Sequence, residues 1–449
     1  MKEEADVTLS HDSGGGFVSK LLGWLDLSYC FFVALVDALE LFLPNSAKKF
    51  RFFSKGWGNL SLTGKTLDKA MYNLQNKDRF LHLSHIKWDD PKIFRPFCGS
   101  ICRNGRAVAL IVKVGRFESP IASLLPDESK QCVFHWVQPL ISGAPKQVVI
   151  MFPGTAEMGI VERLPMAKKL AVDYDMTSIL IEAPYYGIRK PNDQTLWFLN
   201  TVADSFVQGH AIAFEGAALA MYCLDQSPET QVCLTGFSWG AATAASVSQV
   251  VRLAGGDVSR IACVPYVGCG TGDPIQSGML ARSVHWNALY PGVNDEGDLP
   301  CNDSTNQRIH NAKKELNSWQ EKFDFTALLD TCQKQAQRAE QQQHSSSKAD
   351  DKRIGIMRVV ATQNDHFIPK RFLEHFSAQL EAIMADDPST SDQAAIDDCP
   401  PRFQVRWSRG GHLYAALSRY KYQRESVIEA MTALKAIHKN RIDKINACI

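Results

Sequence analysis

The sequence predicts an α/β protein in which a mostly parallel central sheet is flanked by helices, with an N-terminal helical arm and an inserted cap. Short apolar runs of strand length alternate with longer helical segments over residues 111–269, and the same alternation returns over residues 353–449. Such alternation is typical of parallel strands joined by crossover helices that cover both faces of the sheet. Residues 270–352 interrupt the pattern without a strong strand, so we predict that they form an insertion.

The composition of the 449-residue chain, with 45% hydrophobic and 22% charged residues, is ordinary for a globular protein. A formal net charge of +1 gives no reason to expect a nucleic-acid partner. The twelve cysteines are scattered, and only Cys98 and Cys102 lie close together, without the histidines of a zinc pattern. We therefore predict no metal, no cofactor, reduced thiols and an intracellular location.

The N-terminal arm begins after a polar segment, residues 1–16, that is predicted to be disordered. Residues 17–43 are apolar except for Asp26, Asp37 and Glu40, which would lie within about 60° of one another on a helix. These acids predict an amphipathic helix with a narrow acidic stripe. Three placements stay open: packing on the protein, peripheral contact with a membrane, or a span or cleaved signal.

The sheet is predicted to begin after the arm and linker, which together occupy residues 17–110. Two antiparallel strands come first, near residues 115–120 and 132–137. The parallel strands are then predicted at residues 147–152, 178–181, 231–235, 261–265, 356–362 and 403–407. Helices are predicted between them and at the C-terminus. The front part of the insertion is apolar enough to cap a cavity, whereas residues 333–353 have low complexity.

The most informative motif is Gly236-Phe237-Ser238-Trp239-Gly240, a G-x-S-x-G pattern between a predicted strand and a predicted helix. This context is that of the nucleophile elbow, a tight turn that lifts a serine hydroxyl above a parallel sheet. The turn leaves almost no space for side chains two places from the serine, and glycine occupies both places. We predict that Ser238 is a nucleophile, the alternative being a bystander serine in an ordinary turn.

A serine nucleophile needs a base within hydrogen-bonding reach, and the base needs an acid that orients it. In the α/β-hydrolase arrangement these residues follow the chain order serine, acid, histidine. Ser238, Asp365 and His412 supply that order, each just past the end of a predicted strand. Because the carboxyl ends of parallel strands meet at one edge, the three should converge. Asp365 has an alternative role as a helix cap, and the adjacent His366 suits the orienting role less well.

An oxyanion formed during acyl transfer needs two backbone N–H donors. We predict that Trp239, the residue after the nucleophile, supplies one of them. The other is predicted to be Thr155, in the loop after the first parallel strand, with Gly154 and Ala156 as alternatives. Glu157 follows in the same loop and is expected to be solvated.

With these residues in place, the sequence resembles the α/β-hydrolase domain-containing protein 18 family. The most specific match is the run Glu182–Gln194, E-A-P-Y-Y-G-I-R-K-P-N-D-Q, against the family pattern E-x-P-Y-Y-G-x-R-K-P-x-D-Q. Residues 56–58, 117–120 and 410–412 also match, so the resemblance runs from about residue 48 to the C-terminus. The insertion does not align.

Two departures from the family pattern lie at the site itself. Trp239 and Ala241 stand where the family elbow G-x-S-M-G-G has methionine and glycine. Ala156 and Glu157 stand where the oxyanion loop G-T-G-D has glycine and aspartate. The resemblance implies a serine hydrolase, with lipid acyl esters as expected substrates and a mitochondrial membrane as an expected location.

The run that carries the resemblance also follows a strand, at the edge where the three predicted catalytic residues should meet. Tyr185 and Arg189 are therefore predicted to contact substrate, with Arg189 holding a phosphate or carboxylate headgroup. The alternative is that Arg189 pairs with Glu182 or Asp193 and braces the loop.

The predicted reaction is hydrolysis of a lipid or other small-molecule ester through an acyl-serine intermediate. Two other functions stay open at this point. One is an amidase or peptidase that uses the same three residues, and the other is a non-catalytic binding protein on a hydrolase scaffold.

Overall fold

The structure is a computed structural model that describes residues 26, 28–42, 48–76, 83, 85–94, 102–103, 106–140, 145–270, 275–276, 278–290, 305–323, 354–385 and 401–447. The predicted tail and low-complexity run, and the first part of the predicted arm, lie outside these residues. The strands are β1 (Lys87–Trp88), β2 (Lys92–Phe94), β3 (Cys102–Arg103), β4 (Arg106–Ala107), β5 (Leu110–Glu118), β6 (Gln131–Pro139), β7 (Gln147–Phe152), β8 (Thr177–Ile181), β9 (Gln231–Phe237), β10 (Ile261–Tyr266), β11 (Ile356–Thr362) and β12 (Phe403–Ser408).

The described helices surround these strands. The α-helices are α1 (Ser28–Phe42), α2 (Leu60–Gln75), α3 (Leu164–Tyr174), α4 (Val202–Asp225), α5 (Trp239–Leu253), α6 (Thr305–Phe323), α7 (Lys370–Ala385) and α8 (His412–Ala447). Short 3-10 helices lie at Lys48–Phe50, Ala122–Leu124, Asp127–Ser129, Gly187–Arg189, Val258–Arg260, Met279–Ser283 and Trp286–Leu289.

Across the part of the chain that the structure describes, ten strands form one sheet in the order β1–β5–β6–β8–β7–β9–β10–β11–β12, with β2 also paired to β5. Strands β5 and β6 are antiparallel to each other, and β6 is antiparallel to β8. From β8 to β12 every neighbouring pair is parallel. The predicted antiparallel opening and parallel remainder are therefore confirmed.

Helices cover both faces of the sheet, and alternate residues of β7 show how. Val149 and Met151 face α3 and α8 in one core cluster. Val148, Ile150 and Phe152 face α4 and α5 in another. Because both faces are buried, the parallel strands consist of nearly continuous apolar runs, which is why they could be recognised in the sequence.

The start of the long helix α4 at Val202 is fixed by a capping box. Thr201 accepts a hydrogen bond from the Asp204 N–H, and the Asp204 side chain accepts one from the Thr201 N–H. This reciprocal capping box satisfies two N–H groups that would otherwise lack a partner at the helix start. Almost all residues of this helix are buried.

The N-terminal arm packs on the body of the protein through one face of α1. Val33 and Val36 are buried, and the ring of Phe32 stacks on that of Phe198. The predicted acidic stripe is wrong, because Asp26 is buried whereas Asp37 is exposed. Nowhere in the described residues does a helix combine the length and hydropathy needed to cross a membrane.

The insertion between β10 and β11 folds against the N-terminal side of the chain. Phe52 donates its N–H to the Ser283 carbonyl at 2.7 Å and accepts from the His285 N–H at 2.9 Å. Helix α6, which the sequence did not predict, buries Ala312, Leu316 and Gln320 among its described residues. Three buried positions, one of them polar, in a polar helix are too sparse a pattern to recognise from periodicity.

Candidate active site

Ser238 lies at the sharp junction between β9 and α5. Its backbone has φ 57° and ψ −118°, a conformation that non-glycine residues rarely adopt. A Cβ atom on Gly236 would lie 2.3 Å from the Gly240 carbonyl oxygen. One on Gly240 would lie 2.6 Å from the Phe152 carbonyl oxygen. The backbone itself therefore demands glycine at both positions of the motif.

Gly236→Ala is expected to destabilise the protein by about 1–3 kcal/mol, because the new methyl group overlaps backbone that cannot easily move. Gly64→Ala is the matched control, since a Cβ there meets nothing within 4 Å. Gly64 lies inside helix α2, so this control should stabilise by about 0.5–1 kcal/mol. Urea unfolding of both variants measures the difference. A Gly236→Ala protein as stable as wild type would contradict this account of the turn.

The structure brings the three predicted catalytic residues together. His412 Nε2 lies 3.0 Å from Ser238 Oγ, and His412 Nδ1 lies 2.9 Å from Asp365 Oδ2. The three side chains come from the ends of β9, β11 and β12, at the same edge of the sheet. The imidazole thus stands between a hydroxyl and a carboxylate, with one ring nitrogen for each.

The carboxylate of Asp365 is held by four hydrogen bonds in all. Oδ1 accepts from the N–H groups of Phe367 at 2.9 Å and Ile368 at 2.7 Å. Oδ2 accepts from Thr362 Oγ1 at 2.8 Å in addition to the contact with His412. Asp365 therefore organises its own loop and also contacts the histidine. The N–H groups that it binds precede α7, which begins at Lys370, so Asp365 does not act as the cap of that helix. The neighbouring His366 side chain is exposed.

His412 is buried, and its charge state depends on nearby carboxylates. Burial lowers the pKa of His412, but the charge and hydrogen bond of Asp365, with a further contribution from Asp26, raise that pKa above its ordinary value. The rings of Phe237 and Phe367 lie with their centroids 4.8 and 5.0 Å from that of the imidazole. These rings shield the histidine from solvent.

Asp26 is a site residue that the sequence reasoning missed. Its carboxylate is buried and accepts hydrogen bonds from the N–H groups of His366, His412 and Leu413. The available signal was an acid in an otherwise apolar segment, since a buried carboxylate usually has a specific set of partners. The sequence pattern places Asp26 only in the predicted acidic stripe of the arm.

The predicted oxyanion donors near Ser238 differ in their structural surroundings. Trp239 is the first residue of α5, where N–H groups have no acceptor within the helix. Thr155 lines the cavity beside Ser238. Burial raises the pKa of the Tyr186 phenol, and a hydrogen bond from the backbone of Ala156 opposes that rise.

The remainder of this loop is held by a buried ion pair. Arg163 donates through Nε to Glu157 at 2.8 Å and through a terminal nitrogen to the Met151 carbonyl at 2.6 Å. The expectation that Glu157 is solvated is therefore wrong. Gly154 packs against Phe237, whose carbonyl oxygen would lie 3.2 Å from an added Cβ. These contacts hold the loop in place next to Ser238.

The predicted headgroup role of Arg189 is wrong, because the side chain is only 1% exposed. Its guanidinium makes a two-pronged ion pair with Glu215 of α4, at 2.6 and 2.8 Å. It also donates to the carbonyls of Glu182 and Ser129, both at 2.7 Å. Arg189 therefore braces the loop, as the alternative proposed, but neither the Glu182 carboxylate nor Asp193 is its ion-pair partner.

Tyr185 is likewise corrected as a substrate contact. Its side chain is buried and does not contribute to the lining of the cavity. Burial and the charge of the nearby Asp204 carboxylate raise the pKa of its phenol. The next residue, Tyr186, lines that cavity instead. Tyr185 lies in a turn with φ 65°, so its side chain and that of Tyr186 leave the backbone in different directions.

A cavity of about 160 Å³ opens beside Ser238 and Trp239. Its wall is mostly apolar, and the described part of the insertion contributes Ile275, Leu280 and Gln320. The other apolar residues of the wall lie in three parts of the chain. They are Phe52 and Phe53 after the 3-10 helix Lys48–Phe50, Leu199 and Phe206 before and within α4, and Ile368 before α7. The candidate site therefore consists of Ser238, in contact with His412 and through it with Asp365, beside this apolar chamber.

Similar architecture is present in solved structures, at low similarity. Acetyl xylan esterase 1 from Thermoanaerobacterium sp. JW/SL YS485 has 11% identity and a TM-score of 0.41, covering 87% of this chain and 99% of its own. Acetyl xylan esterase from Paenibacillus sp. R4 has 13% identity and 0.41, covering 77% and 89%. Oligopeptidase B from Leishmania major has 11% identity and 0.39, covering 73% and 36%. At these TM-scores the similarities carry no weight for activity.

The family comparison is more informative. The model for the alpha/beta hydrolase domain containing 18 family matches residues 50–433, which is most of the chain. The matched region includes the motif around Ser238, the run Glu182–Gln194, Asp365 and His412. The chain therefore belongs to the alpha/beta hydrolase domain containing 18 family, within the α/β-hydrolases.

Proposed function

We propose that the protein is a serine hydrolase that cleaves an acyl ester, most suitably a lipid ester, through an acyl-enzyme. The observation that carries this proposal is the series of contacts from Ser238 Oγ to His412 at 3.0 Å and from His412 to Asp365 at 2.9 Å. A serine hydroxyl becomes an effective nucleophile when a base stands within such reach and an acid fixes the tautomer of that base.

In the first half of the reaction, His412 Nε2 takes the proton of Ser238 as Oγ attacks the ester carbonyl carbon. The Asp365 carboxylate stabilises the imidazolium that forms. The tetrahedral intermediate then collapses, the bond to the leaving alcohol breaks, and His412 returns the proton to that alcohol. In the second half, a water loses its proton to His412, attacks the acyl-serine, and releases the acid while Ser238 regains its proton.

The negative oxygen of both tetrahedral intermediates needs donors aimed at it. We assign this role to the N–H groups of Trp239 and Thr155. Trp239 starts helix α5, so the positive end of the helix dipole also favours an anion there. Thr155 is preferred over Ala156 because Thr155 lines the cavity together with Ser238, whereas Ala156 is not part of that lining.

The acyl group is proposed to occupy the apolar chamber beside Ser238. Its volume of about 160 Å³ is close to that of an engineered cavity that accepts benzene, so a short acyl chain fits entirely. A longer chain would extend beyond it. The Trp239 indole packs edge-on near the Tyr186 ring, with 6.4 Å between centroids, and both residues line the chamber together with Ser238. Because the wall is apolar, it favours uncharged acyl groups over charged ones.

The test combines labelling with product analysis. A fluorophosphonate probe should label the wild type and Ser418→Ala, but not Ser238→Ala, since the Ser418 hydroxyl bonds only to carbonyls of its own helix. A panel of acyl esters, phospholipids and acyl amides then identifies the scissile bond. Released fatty acid from esters supports the proposal. Cleavage of amides alone favours a peptidase or amidase, and no labelling of the wild type favours a non-catalytic binding protein.

We also propose that the outer face of α1 rests on a membrane surface. Phe31 and Leu35 are 78% and 60% exposed, one helical turn apart, and Leu39 continues the row. The exposed Lys49 follows the helix and suits anionic headgroups. Helix α1 also packs on the segment Met279–Ser283, which contributes to the chamber wall.

This membrane proposal predicts that the protein floats with vesicles of phosphatidylcholine and phosphatidylglycerol. Phe31→Ser combined with Leu35→Ser should reduce the bound fraction about tenfold, since two apolar side chains are lost from the contact. Leu140→Ser is the control, because Leu140 is 51% exposed but follows β6 at the opposite edge of the sheet. Equal binding of the double variant and the control would contradict the proposal.

A further inference from the structure

A single carboxylate from the N-terminal arm joins the two loops that carry the acid and the base. Asp26 Oδ2 accepts from the N–H groups of His366 and His412, both at 3.0 Å. Asp26 Oδ1 accepts from the Leu413 N–H at 2.7 Å. His366 adjoins Asp365 in the loop after β11, whereas His412 and Leu413 follow β12. Asp26 thus fastens the two loops to each other from a third segment.

The contact also completes the start of helix α8. His412 is the first residue of that helix, where N–H groups lack acceptors, and the preceding position is a glycine that has no side chain to offer. Asp26 supplies the missing cap from 386 residues away in the sequence. Its negative charge also lies at the positive end of the helix dipole, which is favourable.

Gly411 makes room for this arrangement. A Cβ atom at that position would lie 2.4 Å from Asp26 Oδ2 and 2.7 Å from the Asn364 carbonyl oxygen. The second glycine of the Gly410-Gly411-His412 sequence is therefore explained by the close approach of a carboxylate. The first, with φ 83°, is explained by its backbone conformation.

We propose that Asp26 is a positioning residue for His412, so that the N-terminal arm is part of the active site. This inference rests on the proposed serine hydrolase function. Asp26 acts through the backbone at both ends of the His412–Asp365 pair, and a shift of either loop would lengthen the contacts of the imidazole. Small misplacements of catalytic groups lower kcat strongly, because the reacting atoms lose alignment.

The charge of Asp26 gives the proposal a second measurable consequence. The groups that face His412 are the carboxylates of Asp365 and Asp26, the Ser238 hydroxyl, and the rings of Phe237 and Phe367. Both carboxylates favour the protonated imidazole. The pKa of His412, which is raised, should therefore fall when the charge of Asp26 is removed.

The kinetic experiment compares Asp26→Asn with Asp37→Asn, which removes the same charge from the same arm at an exposed site paired with Arg51. Asp26→Asn should lower kcat about 10–100-fold with KM within about threefold, since alignment rather than binding is lost. The acidic limb of its kcat/KM profile should move to lower pH by about half a unit to one unit. Asp37→Asn should retain the wild-type kcat and profile.

Gly411→Ala reaches the same contact from the other side and serves if Asp26→Asn does not fold. Its methyl group overlaps Asp26 Oδ2, so it should also lower kcat with little change in KM. A purely structural cap would lower the melting temperature of these variants but leave the kcat and pH profile of the folded protein unchanged. That result would overturn the proposal.

A measurement without turnover separates this inference from the proposed function. The imidazole of His412 is titrated by NMR in isotope-labelled Ser238→Ala protein, with and without Asp26→Asn, and assigned by loss of its signal in His412→Gln. A lower midpoint in the Asp26→Asn protein supports the role of Asp26 even if no ester is cleaved. An unchanged midpoint overturns it even if the enzyme is active.

Discussion

Ser238→Ala is expected to lower kcat for ester hydrolysis by about 10⁵–10⁶-fold, because it removes the hydroxyl that attacks the carbonyl carbon in the proposed mechanism. His412→Gln should cost about as much, since Ser238 Oγ has its hydrogen bond to that imidazole. Asp365→Asn should cost about 10⁴-fold, because an amide can favour the wrong tautomer of His412. Steady-state kinetics with a chromogenic short-chain ester measures all three.

Combining these substitutions distinguishes a catalytic unit from independent contributions. Ser238→Ala with His412→Gln should be no slower than Ser238→Ala alone, since the histidine acts only through the serine proton. KM should change little in each variant because the apolar side chains of the chamber wall are untouched. Additive losses, or a Ser238→Ala enzyme with substantial activity, would contradict the proposed mechanism.

The largest expected loss of stability follows from Arg189→Met. This substitution leaves the Glu215 carboxylate buried without its ion-pair partner, and the loss should be about 3–5 kcal/mol. It also removes the donors to the Glu182 and Ser129 carbonyls. The destabilisation should be smaller at mildly acidic than at mildly alkaline pH, because a stranded carboxyl can take up a proton. Chemical unfolding at several pH values measures the effect.

Two companion variants show whether charge or packing is responsible. Arg189→Met with Glu215→Leu should recover most of the lost stability, since apolar residues can replace a buried pair at little cost. Lys55→Ala breaks the exposed pair with Asp193 and should cost about 0–1 kcal/mol. A double variant as unstable as Arg189→Met alone would show that the hydrogen bonds to the carbonyls dominate instead.

The parts of the fold that the sequence predicts are those with local causes. The buried strands are continuous apolar runs, and the turn at Ser238 requires glycines at fixed offsets, so both leave short patterns. Asp365 and His412 could be placed because chain order and strand ends limit the choices. Their proximity could be predicted without any measured distance, because the carboxyl ends of parallel strands lie at one edge of the sheet.

The parts that could not be predicted depend on partners far apart in the chain. Arg189 and Glu215 are 26 residues apart, and only the packing of a loop on α4 brings them together. Nothing in the loop sequence separates an arginine that binds a ligand from one that braces a fold. Asp26 and His412 are a more extreme case, because their contact joins segments near opposite ends of the chain. Periodicity reports which face of an element is buried but not what it meets.

The contact between Asp26 and the last loop of the sheet has a consequence for the order of events during synthesis. At typical elongation rates of about 5–20 residues per second, the 386 residues between Asp26 and His412 take about 20–80 seconds to make. Until then Asp26 has been synthesised, but helix α8, whose first turn it caps, has not. Asp26 therefore lacks these backbone partners until then, and its contact with His412 can form only after His412 has been synthesised.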